Sequence, residues 1–191
     1  MNEATVIPAA VDPILETPRL VLREIGPGDA EFIRELMNEP SFIRNIGDRG
    51  LRSSEGARRF IEEKMRPSYA AFGYGLYLVC SRDGGTPLGI CGLVRREGLD
   101  HPDIGFAFLE RFCGRGYAFE SAKAVLGRAR TVLGLDRILG VTSRTNPGSI
   151  RLLEKLGLRF SRTVALPGVG AERMLFQSDL CGPGGPKGGK P

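Results

Sequence analysis

The residues best suited to chemistry are the glycines of Cys113-Gly114-Arg115-Gly116. In the stretch before them, Ile104, Phe106 and Phe108 alternate with Gly105, Ala107 and Leu109. A run so nearly all apolar predicts a strand buried on both faces. A helix is expected to start at Tyr117. A strand that feeds a glycine loop into a helix N-terminus points several backbone N–H groups at one spot. Small residues there let an anion approach the backbone. Phosphate binding is therefore the chemistry this stretch suggests, although taken alone such a stretch is more often an ordinary strand-to-helix turn. The four cysteines, Cys80, Cys91, Cys113 and Cys181, never fall at CxxC spacing, and His101 is the single histidine. No zinc site is expected from such a set.

The elements that must position this loop come from a chain of 191 residues, enough for one domain with a sizeable core. The formal net charge is +5, and the cations are scattered, with nothing denser than pairs such as Arg95-Arg96. Nucleic acid is not an expected partner. No run approaches the ~18 apolar residues of a membrane helix. The first residues lack a basic segment followed by a long apolar one. A cytoplasmic location with reduced thiols and no membrane partner is the expectation.

Residues 1–15 read as a loose leader, 16–180 as the folded domain and 181–191 as a disordered Gly/Pro/Lys tail. A first strand is expected over 19–24. A helix over Ala30–Asn38 follows, with Asp29 as its cap. Glu39–Gly50 reads as irregular. A second helix starts at Ser53-Ser54-Glu55 and is ended by Pro67. Strands are expected over Gly75–Ser81 and Pro87–Arg95, joined by the hairpin turn Arg82-Asp83-Gly84-Gly85. The strand Ile104–Leu109 completes a meander. The loop, a helix over Tyr117–Thr131 and a strand over Arg137–Thr142 come next. The pattern closes with a helix over Asn146–Leu156, capped by Gly157, and strands over Leu158–Leu166 and Arg173–Gln177. The order is β-α-α-β-β-β-α-β-α-β-β, a mixed α/β domain. The strands on either side of the Tyr117 helix should be parallel, with a right-handed crossover, and a ligand should sit at their C-terminal ends.

Three stretches together resemble the GNAT superfamily of acyl-CoA-dependent N-acyltransferases, and more narrowly its RimJ/RimL-type branch. They are Thr17–Glu24 (TPRLVLRE), Asp103–Ala122 (DIGFAFLERFCGRGYAFESA) and Asn146–Arg159 (NPGSIRLLEKLGLR). The resemblance covers residues 16–180. It implies a mostly antiparallel central sheet with one splayed parallel strand pair and helices on both faces.

The superfamily's Gln/Arg-x-x-Gly-x-Gly/Ala pattern fits in two registers. One starts at Arg111 and matches literally. The other starts at Cys113 and matches the branch's Gly-x-Gly-Tyr-Ala-x-Glu run. In the second, preferred register the resemblance implies that the N–H groups of Cys113, Gly114, Arg115, Gly116, Tyr117 and Ala118 hold the pyrophosphate of acetyl-CoA. Backbone groups near Phe108 and Leu109 would bond the pantetheine amides, much as an added strand would. A backbone N–H would face the oxyanion. Asn146 would bond the pantetheine side, in addition to capping its helix. Ser149 would lie near the sulfur. The Tyr that many members carry seven residues after this Asn is Leu153 here, which leaves Ser149 as the candidate proton donor. Glu120, in the first helical turn, reads as structural.

The resemblance further implies direct attack of a primary amine on the thioester in a ternary complex, with acetyl-CoA as co-substrate and no metal. The amine must be neutral. At pH 7 an α-amine is deprotonated roughly one time in ten, a lysine about one in 2,500. Asp103 is the best base candidate, directly or through water; a strand-start aspartate is the equal alternative. The acceptor is a protein N-terminus or a small amine such as an aminoglycoside, a polyamine or an amino acid. The helices over Ala30–Met65 form its wall, with Phe42, Ile43, Arg44 and Asn45 as lining candidates. A non-catalytic CoA-binding module is the rival from another class. Either a monomer or a homodimer is compatible with these features.

Overall fold

The computed structural model describes residues 12–168 and 170–180. The leader expected over 1–15 lies outside the described residues as far as Val11, and the tail expected over 181–191 lies wholly outside them. The strands are β1 (Leu15–Glu16), β2 (Leu20–Glu24), β3 (Leu76–Ser81), β4 (Pro87–Val94), β5 (Asp103–Phe108), β6 (Arg137–Thr142), β7 (Arg159–Val164) and β8 (Arg173–Asp179). The helices are α1 (Ala30–Asn38), α2 (Pro40–Asn45), α3 (Ser54–Phe60), α4 (Pro67–Phe72), α5 (Tyr117–Thr131) and α6 (Pro147–Lys155). The strands form one sheet in the order β1-β2-β3-β4-β5-β6-β8-β7. Every neighbouring pair is antiparallel except β5 and β6.

Helices cover both faces of the sheet. On one face, Ala122, Val125, Leu126 and Ala129 of α5 and Leu153 of α6 pack with Ile104, Ile138 and Phe176. On the other, Ile33, Leu36 and Met37 of α1 and Ala57 of α3 pack with Leu78, Ile90 and Leu109. Each fully buried aliphatic side chain here contributes about 1.5–3 kcal/mol. A third cluster, Leu99, Leu139, Val164, Leu166 and Leu175, roofs the far end of the sheet beneath the β4–β5 connection. Among the described residues no helix is long and apolar enough to cross a membrane.

Several local expectations are corrected. The leader boundary moves, because Leu15 pairs with Leu22 in β1–β2. Asp29 stands at the α1 N-cap but makes no side-chain cap. Its carboxylate instead pairs with Arg23 at 2.7 and 2.8 Å and accepts from the Gly26 N–H at 2.8 Å. The segment 39–50 contains α2, started by Pro40 at its first position, where the missing N–H costs nothing. Pro67 begins α4 rather than ending the helix before it. A π turn over Ile61–Met65, closed by Arg66 N–H to Ile61 O at 2.9 Å, absorbs the change of register. The strand β5 is buried on both faces only at Asp103 and Ile104; Gly105–Phe108 are half-buried. The reason is on its β6 side.

Candidate active site

The parallel pair β5–β6 is joined by a single register partner, Asp103 opposite Leu139, with Leu139 N–H donating to Pro102 O at 3.0 Å. Beyond that point the strands diverge. The phase of the neighbouring ladders shows which backbone groups face the resulting gap. Leu109 N–H donates to Leu88 O at 3.1 Å. Antiparallel pairs alternate, so Phe106 and Phe108 turn their N–H and C=O groups away from β4 and into the gap. From the other side, Leu180 N–H to Asp136 O at 2.6 Å sets the β6–β8 phase and turns Val141 toward β5. The gap is thus a wedge with its apex at Asp103 and unspent amide edges on both walls.

The same bonds show which of the expected backbone groups are free. Leu109 is not available, because its N–H is spent on Leu88 O and its C=O accepts from Phe112 N–H at 2.8 Å. On β5 the groups that face the gap are those of Phe106 and Phe108. Cys113 is likewise spent: its N–H closes the 3₁₀ turn over Glu110–Phe112 by donating to Glu110 O at 3.0 Å. The first bond of α5 is Glu120 N–H to Gly116 O at 3.1 Å, so the N–H groups of Gly116, Tyr117, Ala118 and Phe119 have no helical acceptor. Those of Gly114 and Arg115 have no backbone partner among the described residues. The cradle therefore runs from Gly114 to Phe119, one residue later than expected at each end. Gly114 and Gly116 stand at φ +75° and +83°, the left-handed region that an L side chain enters only with strain.

The first and second family-like stretches meet at this cradle. Glu120 Oε1 accepts from the Thr17 hydroxyl at 2.6 Å and from Arg19 N–H at 3.1 Å, and Oε2 accepts from Arg19 Nε at 2.7 Å. Arg19 also donates to Arg115 O at 3.1 Å and lies 4.7 Å from the centre of the Tyr117 ring. Glu120 thus straps the β1–β2 turn to the loop, as a structural carboxylate would. Partial burial pushes its carboxyl up, but bonds from Thr17 and Arg19 outweigh this and hold it below its usual value. A depressed folded-state pKa contributes stability above the unfolded pKa, and this is lost as pH falls through the folded value. Glu120→Gln should lower stability at neutral pH by about 1–2 kcal/mol and shrink the loss of stability on acidification. Thermal melts from pH 7 to pH 3 check both.

The α1–α2 wall is tied to the same loop by Arg111 with Glu35 at 2.7 Å and by Glu110 N–H to Glu39 Oε2 at 2.9 Å. Phe42 does not line the wall, since it is buried in the core beneath it. Ile43 and Arg44 are exposed, and Asn45 is half-buried. Asn146 is the N-cap of α6, its Oδ1 accepting from Ser149 N–H at 3.1 Å. Asn146 and Ser149 are half-buried at the head of the helix that follows β6. Cys91 is fully buried, and burial pushes its thiol up to about 12. Cys113 is exposed, yet partial burial and the nearby Glu39 and Glu110 raise its thiol too. Neither is an activated nucleophile.

Asp103 is 1% exposed. Both of its carboxylate oxygens are held by Arg96, at 3.2 Å from Nε and 3.0 Å from Nη2. Burial pushes its carboxyl up despite that pairing. Arg96 had no signal in the sequence beyond its charge. Phe106 and Val141 could be found only from the phase of their ladders.

Comparison with known proteins agrees with this geometry. The acetyltransferase (GNAT) domain family matches residues 19–159. The chain is 29% identical over 153 residues to the uncharacterized protein YkkB of Bacillus subtilis, covering 78% of this chain and 87% of that one. A solved GnaT-family acetyltransferase described as putative, from Bordetella pertussis, superposes with a TM-score of 0.70 at 28% identity, covering 85% of this chain and 97% of that one. The fold is also that of RimL, a ribosomal-protein alpha-N-acetyltransferase solved with coenzyme A, at TM-score 0.75 and 16% identity over 88% of this chain and 98% of that one. A splayed strand pair opening on a glycine-loop helix, on a sheet matched over 141 residues by the family, places the protein: the chain belongs to the acetyltransferase (GNAT) domain family.

Proposed function

We propose that the protein transfers an acetyl group from acetyl-CoA to the α-amine of a peptide or protein, in a ternary complex, as a RimJ/RimL-type enzyme. The observation that carries this reading is the wedge between β5 and β6, whose free amide edges lead straight to the unspent N–H groups of Gly114–Phe119. A ligand with amides along its length and a pyrophosphate at one end matches both parts. Acetyl-CoA supplies the activated acetyl group. Gly114–Phe119 hold its phosphates, and Phe106, Phe108 and Val141 align its amides. The Phe106 N–H is the innermost free donor on β5 and steadies the charge that grows on the acyl oxygen. Asp103, at the apex, takes the proton that the attacking amine must lose. A C–N bond forms, a C–S bond breaks, and the departing thiolate receives a proton by way of Ser149 and water.

Two features favour an α-amine. The large exposed side chains of α2 and its C-cap, Ile43, Arg44 and Ile46, carry no negative charge, so they offer a polyamine no ion partner. An α-ammonium also gives up its proton to a carboxylate more readily than a lysine, its pKa lying about 2.5 units lower. Thiol release from acetyl-CoA, measured with peptides of free N-terminus, with the same peptides N-blocked but carrying lysine, and with polyamines and aminoglycosides, tests the reading. Turnover with the free N-termini supports it. Turnover with small amines alone replaces the acceptor, and coenzyme A binding with no turnover favours a non-catalytic module.

A further inference from the structure

Asp103 presents an unusual arrangement for a base. It is almost completely buried, and its side chain meets one partner, Arg96, with both oxygens. It also stands where β5 and β6 begin to part. Arg96 comes from the connection between β4 and β5, and its side chain is 33% exposed. The backbone of that connection is fixed without the Arg96 side chain. Leu99 N–H donates to Arg96 O at 3.2 Å, Arg95 donates to Asp100 O at 2.6 Å, and Leu99 is packed in the cluster with Val164, Leu166 and Leu175. The guanidinium can therefore turn toward solvent while the connection stays in place.

We infer that Arg96 is a stand-in for the acceptor: its guanidinium occupies the Asp103 carboxylate until the ammonium form of the substrate amine replaces it. This rests on the functional reading above. A buried carboxylate left without a cation is costly, whereas exchanging one cation for another keeps the charge balanced. An ammonium group brings three N–H donors to oxygens that held two. It then passes one proton to Asp103, leaving a neutral amine whose lone pair is free to attack; the second proton, shed as the amide forms, goes to the departing thiolate through water and Ser149, and Asp103 returns its own proton to solvent before Arg96 re-pairs with it. The protonated carboxyl no longer needs a cation, and its burial favours that form. Arg96 is thus a positioning residue that keeps the base ionised and dry between turnovers and selects for acceptors bearing N–H donors.

The exchange can be read without catalysis. Full-length Arg96→Ala, Arg96→Ala/Asp103→Asn and wild-type protein are melted in sodium chloride, methylammonium chloride and tetramethylammonium chloride at equal ionic strength. In sodium chloride the single variant should melt roughly 5 °C or more below wild type. Methylammonium should restore at least half of that loss saturably, and tetramethylammonium, which has no N–H, should not. Wild type and the double variant should show no such gain. Equal melting in the three salts, or the same gain in the double variant, would overturn the inference. Should Arg96→Ala fail to fold, Arg96→Gln carries the same comparison. Because no acetyl transfer is measured, a protein that acetylates nothing still reports the exchange. One that acetylates without the methylammonium effect keeps its function and loses only the stand-in.

Discussion

Gly116→Glu should weaken acetyl-CoA binding by at least ~100-fold while leaving a folded protein. The position is the N-cap of α5 at φ +83°, so any L residue costs roughly 1–2 kcal/mol of backbone strain. That is small beside a typical stability of about 5–15 kcal/mol. An added Cβ would lie 3.3 Å from Arg19 Nη2, the end of a side chain that Glu120 and Arg115 O hold and that must yield by a few tenths of an ångström. The loss comes instead from a carboxylate among the N–H groups proposed to hold a pyrophosphate, where like charges cost several kcal/mol. Each 1.4 kcal/mol is tenfold in affinity. Gly116→Ala, which carries the strain without the charge, should lose far less. Calorimetric titration with coenzyme A, beside a thermal melt, reads the two parts separately. Unchanged affinity in Gly116→Glu would refute the cradle.

Asp103→Asn should lower kcat by about 10²–10⁴-fold, the usual worth of a general base, with the KM for acetyl-CoA little changed. It should not destabilise the protein at pH 7. Removing the carboxylate leaves a guanidinium that can reach solvent, whereas removing Arg96 strands a carboxylate that cannot. The two halves of the pair are therefore unequal, and Arg96→Ala should melt well below Asp103→Asn. The pH dependence follows from the direction of the shift. Burial raises the Asp103 carboxyl above the usual value, so its protonation removes the base at a higher pH than an exposed aspartate would, and the acid limb of kcat lies above ~3.9. For stability, a raised folded-state pKa gives a contribution that is complete below the unfolded pKa and lost as pH rises through the folded one. Asp103→Asn should flatten that segment of the stability curve and abolish the acid limb. A variant with wild-type kcat would make Asp103 purely structural.

The helices α5 and α1 and the strand β6 were legible because their apolar stripes and turn residues agree with one another. The helix α2 was not, since six residues after a proline carry too little period to read. The π turn at Ile61–Met65 was hidden for a related reason: Ala57, Ile61 and Met65 keep helical spacing through it, and Pro67 looks like a stop. The glycine loop before α5 was legible, because glycines at left-handed positions leave a mark in sequence. That the Cys113 N–H is spent depended on a 3₁₀ turn closed by Glu110 O. That Phe106 faces the gap and Leu109 does not depended on ladder phase, which is a property of paired strands and leaves no trace in either strand alone. The burial of Asp103 under Arg96 joins two ends of an eight-residue span whose path is set by Leu99, packed against residues of β6, β7 and β8 that are far away in sequence.

The most direct test of the account is to follow backbone amide resonances as coenzyme A is added. The N–H signals of Gly114–Phe119, Phe106, Phe108 and Val141 should shift together and saturate at one concentration, while those of Leu109 and Cys113, already bonded within the protein, should move least. Shifts centred elsewhere on the sheet, or saturable binding that leaves Phe106 and Gly114–Phe119 unmoved, would contradict it.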